Sequence, residues 1–187
     1  MTNTVAIRFF TPVNEKSIAM LMSVIDVKFK QGIRDFVLLI ASVGGETNAG
    51  LAAYNYLKGL PINLTTHNMG NVESAAVTMY CAGKTRLATP NSKFMIHPVA
   101  LTLNGQFNQE QLNIFVSQIE ADITNMSKII ADTAGTNIKE TRKMMKETTV
   151  LSSEEALKLK LVTEIKQEFS LPEDAEIISI DPLTIPR

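Results

Sequence analysis

The stretch NVESAA at residues 71–76 places a serine, Ser74, just after a segment that reads as a strand and at the first turn of one that reads as a buried helix. Such a serine has two uses. Its hydroxyl can cap the helix by accepting a hydrogen bond from a first-turn N–H. Alternatively it can act as a nucleophile, because backbone N–H groups at a helix start suit an oxyanion. SVGG at residues 42–45 is ambiguous in the same way. Its glycines either make a tight turn that needs positive φ or present a backbone N–H, unobstructed by a side chain, to a developing negative charge. The phosphate-cradling pattern GxxxxGK[ST] is absent, so a P-loop is excluded. FMIH at residues 94–97 ends an apolar run on His97, which serves either as a rim residue of the core or as a catalyst. The second histidine, His67, precedes Gly70 on another predicted strand. Two histidines without a cluster of carboxylates or cysteines do not make a zinc site, so neither metal nor cofactor is expected.

The elements that must position these residues alternate. Residues 5–10 predict a strand. Asn14 then caps a helix whose apolar residues Ile18, Leu21, Ile25 and Phe29 recur at helical spacing, and Gly32 ends it. The run FVLLIA at 36–41 is continuously apolar, as in a strand covered on both faces of a parallel sheet. It leads through Gly44 and Gly45 into a helix closed by Gly59 and Pro61. The unit repeats as a strand over 62–68, a glycine at Gly70 and a helix over about 72–82. Alternation of this kind predicts an α/β fold with right-handed crossovers. Two short extended pieces follow, 85–89 and 93–97, with a turn at 90–92. A long amphipathic helix carries Leu112, Phe115, Ile119, Ile123, Met126 and Ile130 and ends near Gly135. Its length suggests that part of it projects towards a partner chain. A helix over 138–146, a capped helix from Ser152 with Glu155 three residues on, a strand at about 161–165 and an edge strand in the tail complete the chain.

Bulk properties narrow the function. At 187 residues the chain can bury a full core as one domain. With 18 basic and 19 acidic side chains the formal charge is −1, and no basic tract offers a footprint for nucleic acid. No apolar run approaches the roughly 18 residues of a membrane span, and the first residues lack the pattern of a signal peptide. A cytoplasmic protein is expected. The lone cysteine, Cys81, sits among apolar neighbours and reads as a core residue.

Together, SVGG, a serine 29 residues after its second glycine, and TPNSKFMIH at 89–97 resemble the Clp protease proteolytic subunit family, whose corresponding motifs read SPGG, GxAASM and LPNSxxMIH. LSSEEALKLKLVTEI at 151–165 is similar to the family segment that ends in GLVD. The resemblance spans roughly residues 5–166. It implies the ClpP/crotonase α/β fold of repeated β-β-α units with a protruding strand-helix handle, here one domain over 1–187 with the handle at about 98–134 and a tail at about 168–187. It also implies that Ser74 is the nucleophile, His97 the general base, and the N–H groups of Gly45 and Ala75 the oxyanion hole. The implied activity is hydrolysis of peptide bonds in peptides or unfolded proteins. It takes place inside a homo-oligomeric chamber of heptameric rings stacked in pairs.

Three features depart from the pattern. Counting back from LSS, the family's third catalytic residue, an aspartate, falls on Thr148, and losing that charge in a serine triad can cost about 10⁴ in turnover. The adjacent Glu147 replaces it only if the backbone there is rearranged, because neighbours on a strand point to opposite faces. Glu73 stands beside Ser74 where the family has a small residue, and its charge disfavours a nearby oxyanion unless it faces solvent. The chain begins at its first strand, without the segment that forms the family's axial gate, so docking to an ATPase unfoldase is not expected. Thr148 and Glu73 motivate a second reading, a weakly active or inactive scaffold or regulatory subunit. A third is an acyl-CoA enzyme of the related crotonase fold, which uses paired oxyanion N–H groups but no serine nucleophile.

Overall fold

The apolar run at 36–41 lies at the centre of the structure, a computed structural model that describes residues 4–168, 171–172 and 175–180. It belongs to strand β2 (Asp35–Ser42), where Phe36, Leu38, Leu39 and Ile40 are buried. β2 is flanked in parallel by β1 (Thr4–Phe9) and β3 (Asn63–Glu73). The eight-stranded sheet runs β6-β5-β3-β2-β1-β8, where β5 is Lys93–Ile96, β6 is Thr149–Ser152 and β8 is Glu176–Ser179. β4 (Thr85–Ala88) pairs with β3, and β7 (Glu164–Ile165) pairs with β4. Among the described residues only the β5/β6 pair is antiparallel.

The helices form where the caps are. In α1 (Glu15–Lys30) Asn14 accepts from Ser17 N–H at 2.9 Å and Ser17 Oγ accepts from Asn14 N–H at 3.0 Å, a reciprocal capping box. α2 is Thr47–Gly59, α3 is Ala75–Tyr80, and α4 is Gln109–Ala134, closed by Gly135 at φ 66°. α5 (Ile138–Lys146) and α6 (Ser153–Lys158) follow, the latter capped by Ser152 and Glu155 as expected. Every buried residue of α4 lies at Met126 or beyond, while Leu112, Ile114 and Val116 are exposed. The first half of that helix therefore extends away from the core. Residues 181–187 of the expected tail lie outside the described residues; the edge strand expected before them is β8.

The unit after α2 differs from expectation. The strand does not stop before Gly70 but continues to Glu73, and the helix is six residues long rather than about eleven. The reason is a bulge: Ile40 pairs with Asn68 but Ser42 with Val72, so β3 spends four residues where β2 spends two. Gly70, whose N–H is held by Asn68 Oδ1 at 2.9 Å, sits inside that bulge, as glycines within strands commonly do. The bulge also lets β3 change neighbours, pairing with β4 over residues 65–68 and with β5 over 71–73. β7 likewise covers only the end of the expected 161–165 strand.

One side chain fastens several element ends at once. Arg86 on β4 donates to the carbonyls of Leu161 (2.8 Å), Gly83 (3.1 Å), Lys160 (3.2 Å) and Thr133 (3.4 Å). These acceptors lie beyond α3, at the end of α4 and beyond α6. Charged donors make the stronger protein hydrogen bonds, each about 1.5–3 kcal/mol. Arg86→Met is therefore expected to lower unfolding free energy by about 3 kcal/mol, measured by urea denaturation; an unchanged midpoint would show that water serves those carbonyls as well.

Candidate active site

The bulge that carries β3 past Gly70 delivers Ser74 to the end of the sheet. Ser74 sits at φ 53°, ψ −125°, a region that L-residues rarely occupy and that carries strain of about 1–3 kcal/mol. Its N–H donates to Met95 O at 2.8 Å, which continues the β3/β5 ladder by one residue beyond the Glu73–Met95 pair. Although Ser74 occupies the N-cap position of α3, its hydroxyl accepts no cap hydrogen bond. The capping use is therefore not the one the fold makes of it.

The Gly44–Gly45 turn abuts this serine. A Cβ added to Gly44 (φ 82°) would lie 2.5 Å from Glu73 O and 2.8 Å from Ser74 Cβ, so only glycine lets the two turns meet. Gly45 (φ 146°) forms a parallel bridge with Val13, in which Val13 N–H donates to Gly44 O and Glu46 N–H to Val13 O, both at 2.8 Å. In a parallel bridge the residue between those two groups turns its own N–H and C=O to the opposite side. Val13 follows β1 and Gly45 follows β2, so that opposite side is the β3 side, where Ser74 and Ala75 lie. Neither the Gly45 nor the Ala75 N–H donates to an acceptor among the described residues. α2 presses on the same turn: a Cβ on Gly50 would be 2.8 Å from Ala75 O.

His97 follows β5 directly and is half-buried. Its Nδ1 lies 2.8 Å from the carbonyl oxygen of Pro98, and among the described residues no hydrogen bond joins its ring to Ser74 Oγ. The β5/β6 register pairs Ile96 with Thr149, so the next step along it sets Thr148 opposite His97. Thr148 itself is exposed, at φ 52°, and its hydroxyl makes no hydrogen bond among the described residues. The premise that Glu147 and Thr148 share a strand is corrected: Glu147 is the exposed C-cap of α5, and β6 begins only at Thr149. Glu73 is half-buried beside Ser74.

Two depressions border these groups. A groove of about 1070 Å³ runs from Gly45 between α1, the start of α2 and α4, over Val13, Ile18, Met22, Leu101 and Ile119. A cleft of about 610 Å³ starts at Pro98 and passes Ile123, Arg142, Lys143 and Glu147 between α4 and α5. A half-buried hydroxyl, two N–H groups without acceptors among the described residues, an imidazole one ladder step away and a groove that reaches Gly45 can together support acyl transfer.

A family model described as Clp protease matches residues 1–169. The chain belongs to the Clp protease family. Over 134 residues it is 28% identical to the ATP-dependent Clp protease proteolytic subunit 1 of Tropheryma whipplei (strain Twist), a match covering 71% of this chain and 65% of that relative, just under two thirds of its length. It is 31% identical over 127 residues to the corresponding subunit 1 of Mycolicibacterium paratuberculosis, covering 66% of this chain and 59% of the relative. The solved structure of a point mutant of ClpP1 from Listeria monocytogenes shares the fold at a TM-score of 0.79 and 23% identity, covering 89% of this chain and 92% of that one. The expected ClpP/crotonase-like architecture of repeated β-β-α units is borne out.

The two other chemistry-bearing residues noted in the sequence, His67 and Cys81, are both buried. His67 lies on β3 before the bulge that leads to Ser74, and is buried with Nε2 3.2 Å from Lys166 O; burial pulls its imidazole below the usual histidine range. Among the described residues no group of three His, Cys, Asp or Glu side chains could hold a metal, and no helix is long and apolar enough to cross a membrane. Cys81 is buried, and burial pushes its thiol up to about 11. A thiol above the assay pH and out of solvent does not form reactive thiolate. Ellman's reagent at pH 8 is expected to modify Cys81 only after denaturation, and rapid reaction of the folded protein would contradict its core placement.

Proposed function

We propose that this Clp-family chain is a serine peptidase in which Ser74 attacks the peptide carbonyl and His97 takes its proton. The Gly45 and Ala75 N–H groups hold the tetrahedral oxyanion, and water then releases the acyl group. The observation that carries this reading is Ser74 itself. It is held at φ 53° with its hydroxyl uncommitted and pressed against a two-glycine turn that no other residue type would permit. Strain of that kind persists where the surroundings impose it, as they do at active sites. The substrates are peptides or unfolded polypeptides lying in the groove that opens at Gly45. The assembly is a homo-oligomeric chamber in the cytoplasm, heptameric rings stacked in pairs, with the exposed apolar residues of α4 interlocking the rings. Covalent labelling of Ser74 by a fluorophosphonate or β-lactone tests the chemistry, and light scattering tests the chamber, which a monomer would remove.

One observation favours the weakly active scaffold as a second reading: among the described residues no hydrogen bond joins the His97 ring to Ser74, Thr148 or Glu147. Failure of both probes to label the intact assembly would select it.

A further inference from the structure

From sequence, the third catalytic position falls on Thr148, and the atom that accepts from His97 Nδ1 is left without a name. We propose that this acceptor is the backbone carbonyl of Pro98, which acts as the positioning group for His97 in place of a carboxylate. The inference rests on the reading of His97 as general base. A carbonyl oxygen can only accept, so the 2.8 Å contact requires the proton to sit on Nδ1. In the neutral ring Nε2 is then the lone-pair nitrogen, the form that can take a proton from a serine hydroxyl. The neighbouring side chains leave this role open. Among the described residues the exposed Thr148 makes no side-chain hydrogen bond, and Glu147 caps α5 without an ion pair.

Proline suits the position. Its ring fixes φ near −65°, and it biases the residue before it, here His97, to an extended backbone. Both restrictions narrow where the Pro98 carbonyl can point relative to the imidazole, so the contact needs no long side chain to be ordered. What a carbonyl lacks is full negative charge. It sets the tautomer and the ring orientation, but it stabilises the imidazolium formed during attack less than a carboxylate does. In serine triads the loss of about 10⁴ on removing the carboxylate's charge is attributed to the wrong tautomer. A chain that already holds the right tautomer should forgo only the difference between a charged and a neutral acceptor, about tenfold.

The test uses the assembled protein with ¹⁵N,¹³C-labelled histidine, the His97 signals being assigned by their loss in His97→Gln. Wild type is expected to show Nδ1 protonated and Nε2 unprotonated in the neutral ring, unchanged in Thr148→Val. Pro98→Gly, which keeps the carbonyl but frees its φ, is expected to give a mixture of tautomers. A wild-type ring protonated on Nε2, or a tautomer change in Thr148→Val, would overturn the proposal. The second arm is the fluorophosphonate acylation rate of Ser74. Thr148→Asp is expected to raise it about tenfold, whereas a gain of 10³ or more would mean that the tautomer was not already set. If Ser74 fails to label in every variant while the spectra stand as expected, the peptidase reading falls and the Pro98 contact remains as the cause of the ring's tautomer.

Discussion

Ser74→Ala is expected to abolish covalent labelling and to reduce kcat/KM for a fluorogenic peptide to background, without unfolding the protein. Removing the nucleophile from a complete triad costs on the order of 10⁶ in turnover. A site without its carboxylate starts up to about 10⁴ lower, so the measurable loss here lies between about 10² and about 10⁶. If Pro98 sets the His97 tautomer, the value falls towards the upper end. Stability should barely move, by less than about 0.5 kcal/mol, because the hydroxyl makes no hydrogen bond that alanine would lose. The two readouts have to separate. Labelling that survives in Ser74→Ala would mean that another residue carries the chemistry, and a collapsed thermal midpoint would return the hydroxyl to a structural role.

The second large effect is expected at Gly45. An alanine Cβ there would lie 2.2 Å from Val13 O, the acceptor that binds Glu46 N–H, and the backbone is at φ 146°, where a side chain is strained whatever the space. Strain and overpacking each contribute about 1–3 kcal/mol. Gly45→Ala should therefore lose on the order of 3 kcal/mol of stability, read by chemical denaturation. Relief of the clash must displace the bridge to Val13, and with it the direction of the Gly45 N–H. The acylation rate of Ser74 should then fall by about 10²–10³, the usual effect of losing one oxyanion donor. Full labelling at the wild-type rate in a folded Gly45→Ala protein would exclude that N–H from the site.

What the sequence by itself determined is what neighbouring residues decide among themselves. Asn14, Ser152 with Glu155, and Gly135 end helices through contacts within a few residues, so their positions could be read directly, and α5 matched its expected bounds. The buried run of β2 was legible because a strand covered on both faces must be apolar throughout. The types and spacing of Ser74, His97 and the two glycines pointed to the family. Tertiary structure alone decided how those groups meet. Gly70 looks like a strand end in sequence, and only the pairing of β3 on either side of it, with β2, β4 and β5, makes it part of a bulge that carries the chain on to Ser74. The positive φ at Ser74 comes with close approach of the Gly44 turn 30 residues earlier and a hydrogen bond to Met95 O, with nothing in the local residue types to announce it. The Nδ1 partner of His97 is a main-chain oxygen, identical in every amino acid, so no side-chain pattern encodes it. Arg86 likewise finds carbonyls that become neighbours only when three helix ends converge. Local rules fix the pieces because their energies are short-ranged. The site is made by register and close approach between distant segments, which a linear pattern does not contain.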